Sequence, residues 1–371
     1  MESTKGIGFA VFGLLMWVFA GTVTAQEAGR SPAEEGASQQ SQKQAGEQPE
    51  QSRSDSPTWV LEGDLAGKLQ TMTTRQEDTF AEIGNKRSLG FLELVKANPG
   101  VDPWLPGDGT RITLPRKYVL PDSRREGIVI NLAEYRLYYF RKDGGVQVFP
   151  VGVGTDDNPS PLTDAEVTMG IASPAWYPPS SIRAEYEADG DYLPRMVPPG
   201  PDNPLGPYAL ILSEKGYLIH GTNKGFGVGM QVSHGCFRMY NEDIVDFARQ
   251  VNKGTPVQVV HQPVKIGMRD GQLWLEVHRA REGYPEVEKE QLWQRLTEKL
   301  AGFTEKVEGL EVQRREVELA VDQADGIPRM IGERVQQVAS RDGGAVNAAE
   351  QSDNAVARPS VDSSPSPQRW F

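Results

Sequence analysis

The single cysteine of the chain, Cys236, lies in a segment whose residue types suit nucleophilic catalysis. Two of the four histidines, His220 and His234, flank this segment, and Arg238 follows two residues after the cysteine. A thiol has an ordinary pKa of about 8.5, so a nearby imidazole that accepts its proton would convert it into a nucleophile. His234 shares a face with Cys236 on an extended strand, whereas His220 reaches the thiol only if the chain turns back. The residue types alone leave both imidazoles open as the base.

The neighbouring residues favour an acyl-transfer site. The glycines between the two histidines make a chain reversal easy. Amide N–H groups around Gly235 and Cys236 could bind an oxyanion that develops during attack on a carbonyl. The guanidinium of Arg238 offers a planar, bidentate partner for a carboxylate. The segment therefore predicts a cysteine nucleophile acting on a substrate that carries a carboxylate.

Three simpler interpretations compete with this one. A lone buried cysteine is usually an inert apolar residue, but the neighbours here are His, Gly, Ser and Arg. Zinc bound by His220, His234 and Cys236 is the second interpretation, and no CxxC or HExxH motif accompanies these residues. Arg238 as a plain surface ion-pair residue is the third.

The strings HGTN, from His220, and SHGCFRM, ending at Met239, resemble the signature of the L,D-transpeptidase family, the YkuD-type catalytic domain of bacterial wall enzymes. The resemblance implies that Cys236 is the nucleophile and that His220 is the proton donor and acceptor. It implies further that the carbonyl of Gly221 orients the His220 imidazole, and that His234 and Gly235 form the oxyanion region.

The resemblance also implies a substrate and its contacts. Arg238 would hold a carboxylate of a peptide, and Ser233 and Thr222 would contribute to substrate binding. The implied partners are the stem peptides and glycan of peptidoglycan, with an outer-membrane lipoprotein as a further possible acceptor. The implied reaction attacks the L-to-D bond of a tetrapeptide stem and passes the acyl group to a second stem or to a lipoprotein lysine. An L,D-carboxypeptidase or amidase with the same residues, and a non-catalytic wall-binding scaffold, are the alternatives.

Composition excludes several classes of function. The 371 residues carry a net charge of -12 and have a sequence pI of about 5.0, so nucleic acid is an unsuitable partner. No metal, nucleotide or flavin motif is visible, and the glycines form no GxGxxG pattern that opens a helix. The sequence predicts no cofactor and no metal.

The amino terminus has the pattern of an export signal. Lys5 precedes an apolar run over residues 7–20, and small residues continue to Ala25. We expect a signal peptide over 1–25 and a periplasmic protein, with an uncleaved membrane anchor as the alternative. Residues 26–57 are rich in Gln, Glu, Ser and Gly and predict a disordered linker.

Residues 60–115 predict a small α+β module that resembles LysM, a peptidoglycan-binding module. A helical pattern opens at Asp78-Thr79-Phe80, and Ser88 could cap a second helix. The stretch ANPGVDPWLPGDGTRITLP, from Ala97, then leads into a strand. A generic small α+β domain is the alternative to the LysM resemblance.

Residues 126–261 predict a mostly β catalytic domain, a YkuD-like β-sandwich with one supporting helix that Asn241 caps. Asp143-Gly144 predicts a hairpin turn, and the Pro-rich stretch 172–207 predicts a long irregular loop. Residues 262–340 predict a hairpin followed by a helical appendage, and 341–371 a disordered tail. The isolated histidines His261 and His278 are expected to be structural.

Overall fold

The computed structural model describes residues 56–279 and 289–335 of the chain. The predicted signal segment 1–25, nearly all of the predicted linker 26–57 and the predicted tail 341–371 lie outside these residues. Within the described ranges, no helix combines the length and the apolar character that a membrane crossing requires.

The secondary structure alternates short strands with a few helices. The strands are β1 (Thr58–Val60), β2 (Leu65–Gly67), β3 (Gln70–Thr73), β4 (Arg111–Leu114), β5 (Lys117–Val119), β6 (Gly127–Asn131), β7 (Arg136–Phe140), β8 (Gly145–Pro150), β9 (Val153–Gly154), β10 (Thr163–Ala172), β11 (Tyr208–Leu212), β12 (Leu218–His220), β13 (Gln231–Ser233), β14 (Phe237–Arg238), β15 (Pro256–Val260), β16 (Val264–Arg269), β17 (Gln272–Val277), β18 (Leu310–Val312) and β19 (Arg329–Arg334). The helices are α1 (Phe80–Arg87), α2 (Phe91–Ala97), α3 (Ser180–Ala188), α4 (Asn241–Ala248), α5 (Lys289–Lys306) and α6 (Arg314–Gln323).

A nine-stranded mixed sheet, in the order β1-β8-β7-β6-β15-β10-β11-β12-β14, spans the predicted catalytic domain of residues 126–261 and adds β1 from before it. The ten-residue strand β10 pairs with β15 through its first residues and with β11 through the rest, with an irregularity between Val167 and Met169. A strand that changes partners across an irregularity bends the sheet, so the sheet curls around one core. Buried aliphatic residues and Phe149 fill this core. The mostly β prediction and the hairpin at Asp143-Gly144 are confirmed.

The predicted supporting helix is α4, which packs its apolar face on the core behind the site strands. Ile244 and Phe247 are fully buried there. The prediction that Asn241 caps this helix is wrong, because Tyr240 occupies the cap position. The Asn241 side chain instead accepts a hydrogen bond from the amide of Thr222 at 2.8 Å. A short polar side chain at a helix start can bond to a nearby amide, and here the loop that follows β12 supplies it.

The N-terminal module is a β3-α1-α2-β4 unit in which β3 and β4 pair antiparallel. Its own core contains Phe80, Leu94 and Ile112. Helix α1 begins within the predicted Asp78-Thr79-Phe80, and Thr79 caps it, since its side chain accepts the amide of Glu82 at 3.2 Å. The LysM resemblance of this unit stays a prediction.

This module packs directly against the catalytic domain. Ser88 does not cap the second helix; it ends α1 in the left-handed conformation, with a φ of 49°. Its buried hydroxyl donates a 2.6 Å hydrogen bond to Asp243 at the start of α4. The rings of Phe91 and Phe226 lie 5.1 Å apart, and Phe226 belongs to the segment that links His220 to Cys236. The module therefore contacts both the supporting helix and the catalytic segment.

The C-terminal region contains more strands than the sequence predicts. The predicted hairpin is β16-β17, and it continues into a four-stranded antiparallel sheet of order β16-β17-β19-β18. Helices α5 and α6 cover this sheet and share its apolar core. The prediction of a hairpin plus helices is thus incomplete, since it omits β18 and β19. The sequence pattern does not show these strands because β18 is only three residues long and β19 begins and ends with charged residues.

The long loop 172–207 is not wholly irregular, because α3 lies within it. None of the residues of α3 is buried. Solvent-exposed helices of this length are marginal on their own, so contacts at the ends of α3 matter for its position.

Candidate active site

The pairing of β12 with β14 brings His220, Cys236 and Arg238 together. These strands are parallel, with Ile219 opposite Phe237 and His220 opposite Arg238. Residues directly opposite in a parallel pair point to the same face, so His220 and Arg238 share one face at the edge of the sheet. The Arg238 cation acts on both the His220 imidazole and the Cys236 thiol, which places all three groups in one site. Cys236 immediately precedes β14, and the intervening chain makes the reversal that His220 requires.

The His220 imidazole is buried and held by its neighbour. Its Nδ1 lies 2.6 Å from the carbonyl oxygen of Gly221. Burial, together with the nearby Arg238 cation, lowers the pKa of His220 from 6.5 to about 4, although the Gly221 hydrogen bond acts in the opposite direction. The ring is therefore neutral near pH 7. With the proton on Nδ1 donated to the carbonyl, Nε2 keeps its lone pair and can accept a proton.

The Cys236 thiol is partly exposed, and its Sγ lies 3.6 Å from the carbonyl oxygen of Gly216. Burial raises the pKa of the thiol, while the Leu218 amide and the Arg238 cation oppose that shift. The resting pair is therefore a neutral thiol beside a neutral imidazole. A thiolate would form only as the proton moves to a base, which is the arrangement of general-base activation.

Two predicted substrate-binding hydroxyls make hydrogen bonds to the backbone. Ser233 Oγ donates to the carbonyl of Cys236 at 2.6 Å and accepts the amide of Gly235 at 3.1 Å. Thr222 is buried, and its Oγ1 accepts the amide of Lys224 at 3.0 Å. In this conformation both hydroxyls shape the loops around Cys236. Their contact with substrate stays a prediction.

His234 is exposed and points to a different partner. Its Nε2 lies 2.7 Å from a carboxylate oxygen of Glu185 on α3. This contact joins the long loop to the residue two positions before the cysteine. Sequence reasoning missed Glu185, because 49 residues separate the pair and no spacing rule connects them.

One cluster of possible metal ligands lies away from this site. Ligand atoms of Glu134, Glu276 and His278 lie within 4.8 Å of one another. The ammonium of Lys265 stands among them, 2.8 Å from Glu134 and 3.1 Å from Glu276. Lys265 therefore already supplies the positive charge that a metal ion would bring. The cluster is an internal ion network and includes His278, which was expected to be structural.

Comparisons with known proteins agree with the motif. Residues 125–259 match the model of the L,D-transpeptidase catalytic domain, YkuD. The chain is 38% identical over 286 residues to the probable L,D-transpeptidase ErfK/SrfK of Escherichia coli, covering 74% of this chain and 89% of that protein. The chain belongs to the L,D-transpeptidase family. It is 43% identical to the probable L,D-transpeptidase YbiS of the same species, covering 58% of this chain and 71% of the relative.

Two further comparisons are with a third relative and with a solved structure. The probable L,D-transpeptidase YcfS of Escherichia coli is 45% identical over 53% of this chain, which spans 63% of YcfS. Among solved structures, the catalytic domain of an Enterococcus faecium L,D-transpeptidase is 17% identical and covers 38% of this chain and 99% of that domain, with a TM-score of 0.30.

The depressed pKa of His220 leads to a testable titration. We expect NMR titration to find the His220 imidazole neutral at pH 6, with protonation near pH 4, because burial and Arg238 disfavour the charged ring. Replacing the neighbouring cation, Arg238→Gln, should raise the pKa of His220. The matched control Arg249→Gln removes an exposed arginine that pairs with Asp246 and should leave the pKa unchanged. A pKa near 6.5 for His220 in the wild-type protein would show that burial and Arg238 do not disfavour the charged ring.

Proposed function

We propose that this protein is a periplasmic peptidoglycan L,D-transpeptidase that works through a Cys236 thioester. The observation that supports the proposal most is the pairing of β12 with β14, which sets His220 opposite Arg238 at the end of the strand that Cys236 precedes, with His220 neutral and anchored to the Gly221 carbonyl. A neutral base beside a neutral thiol suits nucleophilic acyl transfer. Membership of the family supports the same reaction.

In the acylation step, His220 accepts the thiol proton as Sγ of Cys236 bonds to the carbonyl carbon of the third stem residue. The electron pair of that carbonyl moves to oxygen, which backbone amides stabilise. When the carbonyl re-forms, the bond to the terminal D-alanine breaks and its amine leaves with the proton from His220. Arg238 is proposed to hold a carboxylate of the stem peptide.

In the second step, the nitrogen of an amine bonds to the thioester carbonyl carbon, and the C–S bond to Cys236 breaks as the new amide forms. His220 takes a proton from the attacking amine and passes it to the departing sulfur. An amine of another stem yields a 3-3 crosslink, and a lysine of an outer-membrane lipoprotein yields an anchored protein. Water as acceptor gives L,D-carboxypeptidase activity. An amidase would hydrolyse the bond that joins an anchored lipoprotein to the stem peptide. The residues of the first step are common to all of these outcomes.

The N-terminal module is proposed to bind glycan, which would keep the site close to its substrate. The proposal rests on the sequence resemblance to LysM together with the β3-α1-α2-β4 unit. Binding by a module joined to the catalytic domain raises the local concentration of stem peptides. An export signal over residues 1–25 would place the protein in the periplasm.

Mass spectrometry of reactions with a purified disaccharide tetrapeptide tests this function. We expect D-alanine release together with a crosslinked dimer. In a parallel reaction with added lysine-ended peptide, we expect the stem joined to the lysine amine. Tripeptide without either joined product would indicate a hydrolase, and unchanged tetrapeptide would contradict the proposed substrate. Protein alkylated at Cys236 with iodoacetamide serves as the control.

A further inference from the structure

The peptide group between Gly235 and Cys236 is held through its carbonyl oxygen by a side chain from a distant loop. Ser160 Oγ donates a 2.8 Å hydrogen bond to the Gly235 carbonyl and accepts the Gly154 amide at 2.9 Å. The side chain of Ser160 is 2% exposed. The loop that carries it begins at β9, which pairs with β13 just before the cysteine. Ser160 thus links two backbone segments beside the nucleophile.

The hydrogen bond from Ser160 to the Gly235 carbonyl also fixes the direction of the Cys236 N–H, which belongs to the same peptide group. A trans peptide is planar, and its C=O and N–H groups point in opposite directions. With the Gly235 carbonyl directed at Ser160, the Cys236 N–H faces away from Ser160. No hydrogen bond found in the described part of the chain uses that N–H. The other nearby amide, Gly235 N–H, already donates to Ser233. The Cys236 amide is therefore the donor left for an oxyanion.

The Gly235–Cys236 peptide needs such a hydrogen bond because a glycine precedes the nucleophile. Gly235 has a φ of 103°, a left-handed conformation that side chains rarely adopt. An added Cβ at this position would stand 2.9 Å from the Tyr217 ring. The same freedom that permits this conformation leaves the following peptide easy to rotate. Rotation would turn the carbonyl oxygen of Gly235, the negative end of its dipole, toward the developing oxyanion and so destabilise it.

We propose that Ser160 is a positioning residue for acyl transfer, which holds the Gly235–Cys236 peptide so that the Cys236 N–H stabilises the oxyanion. The nucleophile's own amide serves this purpose in the serine proteases. The inference rests on the proposed function, since it assumes attack of the Cys236 thiolate on a carbonyl. During attack the S–C bond forms and the carbonyl electron pair moves to oxygen, where the N–H donates. Ser160 itself does not touch the substrate.

Two reagents separate this role from a general structural one. Iodoacetamide alkylates the thiolate by displacing iodide at a saturated carbon, so its reaction forms no oxyanion. p-Nitrophenyl acetate acylates the same sulfur through a tetrahedral intermediate, releases p-nitrophenolate and requires no peptidoglycan. We expect Ser160→Ala in the full-length chain to slow acylation about tenfold to a hundredfold, less than the ~10²–10³ loss caused by removing an oxyanion donor. Alkylation should change by less than about twofold, because the thiol and its base are untouched.

Matched variants complete the test. Ser160→Thr keeps the hydroxyl and should recover most of the acylation rate. Thr74→Val removes another hydroxyl that is 2% exposed and donates to a carbonyl, that of Gly107, but lies in the N-terminal module. It should leave both reactions unchanged. Where Ser160→Ala is unfolded at the assay temperature, as judged by circular dichroism, both reactions are measured for all variants at a lower temperature at which it is folded.

The outcomes are distinct. Parallel loss of alkylation and acylation would overturn the proposal, since the thiol itself would then be disturbed. Unchanged acylation in folded Ser160→Ala would also overturn it. Failure of the proposed function has a different signature: the wild-type protein would react with p-nitrophenyl acetate but release no D-alanine from tetrapeptide.

Discussion

Replacing the nucleophile, Cys236→Ala, is expected to abolish D-alanine release from tetrapeptide while the protein keeps its fold and its binding to isolated cell wall. Removing a catalytic nucleophile typically costs more than about 10⁴-fold in rate, because no other group can form the covalent intermediate. The neighbouring side chains do not replace it: Ser233 is committed to backbone hydrogen bonds, and His220 is a neutral base without a nucleophile to activate. Mass spectrometry of the reaction products measures the loss.

Wall binding should survive in this variant because the predicted glycan-binding module has a core of its own. Pelleting with purified peptidoglycan measures that binding. Cys236→Ser is the matched control for size, since it keeps a small polar side chain but offers a poor nucleophile. Residual activity above about a hundredth of the wild-type rate in Cys236→Ala would exclude the thioester. Loss of wall binding with an intact fold would instead show that the module and the catalytic site share a binding surface.

The residues of the proposed catalytic pair could be found from the sequence because they lie in one short segment. A lone cysteine with flanking histidines and glycines restricts the chemistry before any fold is known. The mostly β domain could also be predicted, since apolar alternation between Gly127 and Pro150 gives three strands with clear turns. Local signals were sufficient at these places.

The sequence could not identify residues whose roles come from long-range contacts. Ser160 reaches the Gly235 carbonyl across 75 residues, and Glu185 reaches His234 across 49. Periodicity and motif spacing report only on neighbours along the chain. The same limit applies to β19, which joins the C-terminal sheet by pairing with β17 more than 50 residues earlier in the chain. Side-chain hydrogen bonds between distant parts of the chain have no sequence signature of their own.

A buried ion network, which the sequence also could not predict, joins the N-terminal module, the catalytic sheet and the C-terminal sheet. Arg136, on β7, lies 2.9 Å from Glu93 of the N-terminal module and 2.7 Å from Glu276 of the C-terminal sheet. It also lies 2.9 Å from Glu134, and Lys265 contacts both Glu134 and Glu276. All of these side chains except Glu93 are nearly or fully buried. The network fixes the catalytic sheet relative to both flanking regions.

Removing one cation from this network, Lys265→Met, is expected to lower the free energy of unfolding by up to about 3–5 kcal/mol, the usual cost of breaking a buried ion pair, because Glu134 and Glu276 each lose one of their cationic partners. Lys265 Nζ donates to the Val119 carbonyl, Glu134 and the hydroxyl of Tyr138, so several buried acceptors lose their donor. Urea denaturation at pH 7 measures the change. The matched control Arg314→Met breaks an exposed pair with Glu318 and should cost only about 0.3–0.5 kcal/mol.

The pH dependence of this loss identifies its cause. Burial alone would raise the pKa of Glu276, but Lys265, the hydrogen bond from His278 and the Arg136 cation hold that pKa well below 4.5. A folded pKa below the unfolded value gives stability that is present above pH 4.5 and is lost as the pH falls. In Lys265→Met the burial effect is less opposed, so the pKa of Glu276 rises and the carboxylate protonates more readily. The difference in unfolding free energy between the variant and the wild type should therefore be largest near pH 7 and shrink toward pH 4.

A double-variant cycle with Glu276→Gln completes the argument, because it asks whether the lost stability belongs to the charge pair. Neutralising Glu276 in the Lys265→Met background removes one of the two carboxylates that lost this cation, so the two changes together should cost less than their sum. Additive costs, or a loss that does not vary with pH, would assign the destabilisation to the changed packing of the long side chain instead. Only a coupled, pH-dependent loss fits a network whose opposite charges hold the three regions of the molecule together.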